Sequence, residues 1–244
     1  EAEPGIDTYL YPHNETSTGA MVPVKRIGEG EALTVVDGTS SAGGVLFDPS
    51  QADVYYFSPQ KAFAPDGGLW VAALSPAAID RIARLTAERW VPDILNVQLA
   101  LKNSRQNQTL NTPALATLHL LNEQLTWMLE QGGLAAMDQR TKELSRLIYD
   151  WAEQTEWAHP FVEEQYRSQV VATIDVDLDA SEISTICRAS GIVDIDSYRG
   201  LGRNQLRVAT FPATDPGDVR AILESLTRVG QQLTQKLSPH CFFR

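Results

Sequence analysis

Four short apolar runs in the first half of the chain constrain the fold more than any other feature of the sequence. The runs are separated by turn residues and cover residues 8–11, 33–36, 54–57 and 69–74. Apolar runs of this length between turn signals are typical of buried β-strands. After the fourth run, Ser75 and Pro76 occupy the N-cap and first helical positions of an amphipathic stretch that extends to about Arg89. The alternation of strand and helix predicts an α/β fold for this half.

The second half of the chain has a different pattern, in which long amphipathic helices are interspersed with few strands. A helical pattern begins at Thr112-Pro113 and stops at Gly132-Gly133. The elements predicted beyond it are, in order, a helix over 134–151, a strand over 170–176, a helix over 181–189, strands near Ile192 and over 206–211, and a helix over 216–237. We therefore predict two domains, a partial large α/β domain over residues 1–132 and a small α+β domain over residues 133–244.

The overall charge of the chain is strongly negative. Asp and Glu number 31 against 20 Lys and Arg, which gives a formal charge of −11 and a pI near 4.8. Such a field repels phosphate backbones and anionic lipid surfaces, so we expect no nucleic acid partner and no membrane partner. No apolar run approaches the roughly 20 residues of a membrane-spanning helix, and residues 1–4 do not resemble a signal peptide. We therefore expect a cytoplasmic protein.

The two cysteines, Cys187 and Cys241, are too few for a framework of several disulfides. Neither lies in a CxxC pair, and His240 beside Cys241 makes a poor chelate because the two side chains are adjacent in a terminal segment. Cys187 lies in the predicted helix over 181–189, where we expect it to be a core residue. The sequence therefore predicts a reducing environment and no metal site.

Polar residues with functional side chains follow three of the predicted strands. They cover residues 13–16, 37–40 and 58–61. Because ligands bind outside the carboxyl ends of strands in open α/β sheets, we expect a shared site there. Lys61 is then either a surface lysine after a turn or a functional amine. Asp37 is either a cap of the Gly38 turn or a buried carboxylate that pairs with a cation.

Five ordered motifs carry a resemblance to a known family. They read HNETSTG at 13–19, DGTS at 37–40, FSPQK at 57–61, NTP at 111–113 and RNQLR at 203–207. In these motifs and their order the chain resembles the phosphoserine aminotransferases, class V aminotransferases of fold type I, and particularly their actinobacterial form. The resemblance covers essentially the whole chain. It implies that the first predicted domain is part of the family's α/β large domain, which binds the cofactor, and that the second is its α+β small domain.

The resemblance implies pyridoxal phosphate as the cofactor and gives roles to four residues that follow strands. Lys61 would hold the cofactor as a Schiff base and then move the alpha proton of the substrate. Asp37 would pair with the pyridine nitrogen and keep it protonated, so that the ring can accept electrons. Thr16 would contact the phenolic oxygen side of the cofactor, and Gln60 would also contact the cofactor.

Residues further along the chain would bind phosphate and substrate. By the resemblance, Asn111 and Thr112 bind the cofactor phosphate in the neighbouring subunit, an arrangement that requires a homodimer. Arg207 matches the arginine that clamps the substrate carboxylate through a bidentate fork. Arg199 resembles the arginine on the phosphate side of the substrate, although the residue before it is not the histidine of the enterobacterial form. Arg203 is an alternative for that role.

The function implied by the resemblance is transfer of the amino group of L-glutamate to 3-phosphohydroxypyruvate, which yields phosphoserine and 2-oxoglutarate in L-serine biosynthesis. A related phosphorylated oxo acid of pyridoxine biosynthesis is implied as a second substrate. The resemblance begins inside the family's large domain. The upstream third of the family, with a Gly-Arg phosphate contact and a ring-stacking aromatic residue, therefore has no counterpart in the sequence. We expect that the 244-residue chain by itself lacks transaminase turnover.

Three alternatives to this function remain open. One is another class V enzyme, such as a serine-glyoxylate aminotransferase. A second is a cysteine desulfurase, which requires a mobile nucleophilic cysteine on a loop, whereas Cys187 lies in a predicted helix. The third is a noncatalytic fragment that only dimerises. Binding of the cofactor distinguishes the two enzymes from the noncatalytic fragment.

Overall fold

The computed structural model describes residues 3–28 and 30–237, which divide into two compact units. Each unit is made of three segments of the chain. The N-terminal unit contains the chain up to His13, Pro23–Ala42 and Phe47–Glu130. The C-terminal unit contains Asn14–Val22, Gly43–Leu46 and the chain from Gln131 onward.

Two short segments of the predicted first domain, residues 14–22 and 43–46, thus group with the C-terminal unit. The reason lies in their hydrogen bonds. Ser168 N–H donates to the Gly19 carbonyl at 2.9 Å, and Gln169 Nε2 donates to the Gly44 carbonyl at 3.1 Å. The division of the chain into one continuous domain before residue 133 and one after it stays a prediction.

The described residues form nine strands and six α-helices, numbered in chain order. The strands are β1 Thr8–Pro12, β2 Asn14–Glu15, β3 Ala20–Met21, β4 Leu33–Asp37, β5 Val54–Phe57, β6 Val71–Leu74, β7 Ala158–Pro160, β8 Val171–Val176 and β9 Gln205–Ala209. The helices are α1 Pro76–Glu88, α2 Val97–Ser104, α3 Leu115–Glu130, α4 Gly133–Glu153, α5 Ala180–Ala189 and α6 Pro216–Leu237. The mixed α/β fold that the sequence predicts is confirmed.

The N-terminal unit is built on a four-stranded sheet in the order β1-β4-β5-β6. The first three strands are parallel, and β6 runs antiparallel to β5. β4 is an inner strand, and its Val36 is completely buried. The register pairs Asp37, the last residue of β4, with Pro12 of β1 and Tyr56 of β5. All four apolar runs of the sequence are therefore strands, and three of them end at the same edge of the sheet.

Helix boundaries in the N-terminal unit follow local capping chemistry. The Ser75 side chain accepts a hydrogen bond from Ala78 N–H at 3.1 Å, which confirms the predicted start of α1. The predicted start of α3 at Thr112-Pro113 is wrong, because the helix begins at Leu115. Residues 112–114 have no regular secondary structure, and the first turn of the helix closes where Leu118 N–H donates to the Ala114 carbonyl at 3.0 Å. Helix α2 was not predicted, and it begins where Asn96 Oδ1 accepts from Leu99 N–H at 3.1 Å.

The C-terminal unit packs α4, α5 and α6 with an antiparallel sheet in the order β7-β8-β9. The larger of its two core clusters consists mainly of aliphatic side chains and includes Ile148, Ile174, Ile183 and Leu206. The predicted strand near Ile192 is wrong. Gly191 and Asp194 adopt left-handed backbone conformations with φ of +85° and +63°, which interrupt an extended strand. The predicted helix over 216–237 is confirmed as α6.

Among the described residues, no helix combines the length and the apolar character needed to cross a bilayer. Cys187 is buried in the core of the C-terminal unit, as expected. His240 and Cys241 lie outside the described residues.

Candidate functional site

Asp37 and Lys61 follow neighbouring parallel strands of the N-terminal unit. Asp37 is the last residue of β4, and Lys61 lies four positions after Phe57, the last residue of β5. Parallel strands direct the segments after their carboxyl ends to the same edge of a sheet. The fold therefore brings the two predicted cofactor residues to one edge, as expected from the order of strands and motifs.

The Asp37 carboxylate is half-buried and held by two donors. Its Oδ1 accepts from Thr39 N–H at 2.8 Å, and its Oδ2 accepts from the Tyr56 hydroxyl at 3.2 Å. Burial and the negative charge of Asp37 raise the pKa of Tyr56, so the phenol remains a donor. Asp37 also caps the Gly38 turn through Thr39, so the two roles weighed for it in the sequence are compatible.

Lys61 lies in a turn after β5 with a half-buried side chain. Its carbonyl accepts from Ala64 N–H at 3.1 Å, and Ala64 has a left-handed φ of +55°. Phe57 precedes Lys61 in the sequence and Phe63 follows it. The two rings stack on each other with centroids 5.3 Å apart. Among the residues that the structure describes, Lys61 forms no ion pair. Its amine is therefore not paired with a carboxylate among the described residues. The neighbouring Gln60 is exposed.

A buried polar cluster lies behind Asp37, and sequence reasoning did not identify it as such. His13 Nδ1 lies 3.1 Å from the Tyr55 hydroxyl, which lies 3.1 Å from Ser41 Oγ. The Tyr55 ring stacks on Phe47 with centroids 4.2 Å apart. Burial lowers the pKa of His13 to about 4 and raises the pKa of Tyr55 to about 12, so both side chains are neutral near pH 7.

Gly38 is required at its position because Tyr55 passes directly behind it. A Cβ atom at Gly38 would lie 2.3 Å from Tyr55 Cζ. The one sequence signal for the buried cluster was the glycine after Asp37, but the partner of a close approach cannot be read from a single chain pattern.

Arg207 and Arg203 lie at β9 of the C-terminal unit and have different surroundings. The half-buried Arg207 is in β9, opposite Thr173 of β8, and its guanidinium lies over the Tyr198 ring at 5.4 Å. Arg203, in contrast, forms an ion pair with Asp175, with Nε at 3.1 Å from Oδ1 and Nη2 at 2.5 Å from Oδ2. Its guanidinium also lies over the Phe161 ring at 4.3 Å.

The other predicted site residues are Thr16, Arg199, Asn111 and Thr112. Thr16 is half-buried between β2 and β3 in the C-terminal unit, and Arg199 is exposed in the segment before β9. Asn111 and Thr112 are exposed between α2 and α3, and the Asn111 carbonyl accepts from Thr109 Oγ1 at 2.6 Å. The roles of these four residues stay predictions.

The fold and the site together define a class of protein, an α/β protein in which a lysine and a carboxylate follow the carboxyl ends of neighbouring parallel strands of a mixed sheet. The chain belongs to the class-V aminotransferase family, because the family described as Aminotransferase class-V matches it over residues 4–197. Pyridoxal phosphate is the cofactor of this family.

Curated relatives and a solved structure agree with this membership. The chain is 52% identical over 236 residues to a putative phosphoserine aminotransferase of Mycobacterium leprae, covering 95% of this chain and 63% of the relative. It is 50% identical over 237 residues to a phosphoserine aminotransferase of Rhodococcus jostii, covering 95% and 64%. The crystal structure of a phosphoserine aminotransferase from Cytophaga hutchinsonii superposes with a TM-score of 0.83 at 26% identity, covering 93% of this chain and 64% of that one. The chain thus spans slightly less than two thirds of the length of the relatives it matches.

Proposed function

We propose that this chain carries the cofactor lysine and the substrate arginine of an aminotransferase that transfers the amino group of L-glutamate to 3-phosphohydroxypyruvate. One observation carries the proposal: Asp37 ends β4 and Lys61 lies four residues after the end of β5, the adjacent parallel strand, so both follow from the same edge of the sheet. The names of the relatives from Mycobacterium leprae and Rhodococcus jostii support the phosphorylated substrate. The product is phosphoserine, and the proposed role is L-serine biosynthesis, with a related phosphorylated oxo acid of pyridoxine biosynthesis as a second substrate.

The residues present fit pyridoxal phosphate in their chemistry. The cofactor has an aldehyde, which reacts with an amine, and a pyridine nitrogen, which can be protonated. Lys61 supplies an amine without an ion-pair partner among the described residues. Asp37 supplies a half-buried carboxylate whose orientation is held by Thr39 and Tyr56. A buried carboxylate of this kind stabilises a protonated ring nitrogen.

The bound cofactor supplies an electron sink for the substrate carbon that loses its proton. Lys61 would hold the cofactor before the substrate amine replaces it, and its released Nζ would then accept and return the alpha proton of the substrate. Lysine suits this work because an amine can form an imine and exchange a proton, whereas the guanidinium of arginine stays charged. The Asp37 carboxylate would pair with the ring nitrogen of the bound cofactor and favour its protonated form.

Arg207 is the proposed ligand of the substrate carboxylate, because its planar fork can donate two parallel hydrogen bonds to it. For the substrate phosphate we favour Arg199 over Arg203, since the Arg203 guanidinium is already paired with Asp175. Thr16 and Gln60 are proposed to contact the cofactor.

We propose a homodimer, in which Asn111 and Thr112 bind the cofactor phosphate of the neighbouring subunit. Both residues are exposed between α2 and α3, a location that permits contact with a second subunit. The proposed location is the cytoplasm, which fits two cysteines without a framework of disulfides. Size-exclusion chromatography with light scattering tests the homodimer, and a monomer at micromolar concentration would contradict it.

A desulfurase function has less support than transamination. Cys187 lies inside α5 with 1% of its surface exposed, and burial raises the pKa of its thiol. A nucleophilic cysteine requires the opposite, an accessible thiol with a lowered pKa. Release of sulfide from cysteine by the purified chain with cofactor would reverse this preference.

Titration with pyridoxal phosphate tests the proposal in its first step. The wild-type chain is expected to develop the absorption band of lysine-bound cofactor, and Lys61→Ala is expected to lose it. Lys25→Ala is the matched control, since Lys25 is an exposed lysine of the same unit. An unchanged band in Lys61→Ala would contradict the assignment, and the absence of any band in the wild type would favour a noncatalytic fragment.

Turnover is a separate question from cofactor binding. The expectation that the 244-residue chain alone lacks transaminase turnover stays a prediction. Glutamate-dependent conversion of 3-phosphohydroxypyruvate by the purified chain would refute that expectation and support the proposed substrates. Conversion of glyoxylate with serine as donor, without reaction of the phosphorylated oxo acid, would favour a serine-glyoxylate aminotransferase.

A further inference from the structure

Three buried polar side chains, those of His13, Tyr55 and Ser41, form a hydrogen-bonded network next to the turn that follows Asp37. His13 Nδ1 lies 3.1 Å from Tyr55 Oη, and Tyr55 Oη lies 3.1 Å from Ser41 Oγ. His13 is 2% exposed, Ser41 is 0% exposed and Tyr55 is 6% exposed. Solvent water therefore cannot replace the hydrogen bonds within this network.

The two residues at the ends of this network, His13 and Ser41, also bond to the backbone of the Asp37 turn through their own backbone N–H groups. At one end, His13 N–H donates to the Asp37 carbonyl at 2.9 Å. At the other end, Ser41 N–H donates to the Gly38 carbonyl at 3.0 Å, and Ser41 Oγ lies 3.4 Å from the same oxygen. The side chains and the turn thus close a ring of contacts around the peptide that links Asp37 to Gly38. Tyr55 is the middle of this ring and packs against Gly38.

We propose that His13, Tyr55 and Ser41 are positioning residues that hold the Asp37 turn, and thereby fix the orientation of the Asp37 carboxylate. The carboxylate orientation is read directly in its bond to Thr39 N–H, which belongs to the same turn. None of the three side chains bonds to the carboxylate itself, so each acts through the turn. The consequence for the cofactor rests on the proposed function, because it requires Asp37 to face the ring nitrogen.

The chemistry of the cluster favours this role over simple core packing. Burying an imidazole, a phenol and a hydroxyl costs free energy unless their hydrogen bonds are made, whereas apolar side chains of similar size fill the same space without that cost. Buried polar networks restrict orientation, because each bond has a preferred direction. The neutral state of His13, which its lowered pKa ensures near pH 7, prevents an unpaired charge behind Asp37.

The test compares Tyr55→Phe with the wild-type chain, both free of cofactor. Phenylalanine keeps the stacking on Phe47 and the contact with Gly38 but removes the central hydroxyl. We expect Thr39 N–H to exchange with solvent roughly tenfold faster, since its carboxylate acceptor is less fixed, while the amides within β4 keep their protection. The ¹⁵N chemical shift of His13 Nδ1 is expected to change as well.

Two further variants keep the test decisive. Ser41→Ala removes the other end of the network with a smaller change in volume and is expected to have the same selective effect on Thr39. Tyr11→Phe is the matched control, because the Tyr11 hydroxyl bonds to Lys25 and not to the turn. Unchanged Thr39 exchange in both Tyr55→Phe and Ser41→Ala would overturn the proposal, as would equal acceleration of the β4 amides.

Cofactor affinity separates this inference from the proposed function. If wild-type chain binds pyridoxal phosphate, Tyr55→Phe is expected to weaken binding roughly tenfold, and wild-type affinity with unchanged Thr39 exchange would refute the positioning role. If wild-type chain does not bind the cofactor, the proposed function fails, whereas the exchange of Thr39 still decides whether the network holds Asp37.

Discussion

The two units of the molecule differ in what they bury. The main buried apolar cluster of the C-terminal unit has 19 residues, whereas the cluster of the N-terminal unit has five. The N-terminal unit also leaves large apolar side chains at its surface, with Trp90 86% exposed. Both units bury polar side chains, and in the N-terminal unit these include His13 and Ser41, which bond to the backbone of the turn after Asp37. The difference in apolar burial indicates that core packing contributes more to the stability of the C-terminal unit, while hydrogen bonds hold the Asp37 turn in the N-terminal unit.

The largest stability effect is expected in the aliphatic core of the C-terminal unit. Leu206→Ala removes a side chain that is 1% exposed and leaves a cavity, so the free energy of unfolding should fall by about 3 kcal/mol. Leu129→Ala is the matched control, because Leu129 is 72% exposed and should change stability by less than about 0.5 kcal/mol. Denaturant unfolding of each variant measures this difference. Equal losses would break the comparison between the units.

The N-terminal unit should be most sensitive at the buried carboxylate of Asp53. Arg26 contacts its two oxygens at 2.6 and 3.2 Å, and Thr34 N–H and Ser75 Oγ donate to it at 2.9 Å each. Asp53→Ala leaves these donors without an acceptor, so we expect a loss of about 2 kcal/mol in the N-terminal unit. Hydrogen exchange resolves the two units, and the exposed Asp66→Ala is the control. A loss confined to the C-terminal unit would contradict the assignment.

A smaller effect is expected at acidic pH from Asp138 in the C-terminal unit. Burial by itself raises the pKa of Asp138, but hydrogen bonds from Leu46 N–H, Lys142 Nζ and Gln169 Nε2, at 2.9, 2.6 and 2.8 Å, outweigh it and lower the pKa. A lowered pKa contributes stability above the unfolded value of about 4, and this contribution is lost as pH falls through the folded value.

The pH effect is measured against Asp138→Asn. At neutral pH the free energy of unfolding of the wild-type chain should exceed that of the variant by on the order of 1 kcal/mol. The two free energies should converge as pH falls below about 4. A constant difference between them across this range would show that the charge of Asp138 is not the source of its stabilisation.

Local signals explain which parts of the fold were predictable. The apolar runs of β1, β4, β5 and β6 and the N-cap of α1 are properties of neighbouring residues, so sequence patterns identify them. The grouping of residues 14–22 and 43–46 with the C-terminal unit depends on hydrogen bonds to residues far along the chain, which no local pattern contains. The predicted strand near Ile192 failed because two left-handed residues interrupt it.

The candidate site was predictable to the same extent. Asp37 and Lys61 stand out because each follows an apolar run, and the resemblance to a family named their roles. The cluster of His13, Tyr55 and Ser41 was not predicted, because it joins three segments whose contacts follow from the sheet register and the turn geometry. The ion pair between Arg203 and Asp175 was not predicted either, because it joins residues 28 positions apart in the sequence.

The measurement that tests the central claim most directly is the location of covalently attached cofactor. Borohydride reduction of the chain with pyridoxal phosphate, followed by proteolysis and mass spectrometry, should find the reduced cofactor on the peptide that contains Lys61. Equal labelling of the exposed Lys25 or Lys102 would indicate nonspecific reaction with surface amines. Stoichiometric labelling of any other lysine, with Lys61 unmodified, would contradict the account.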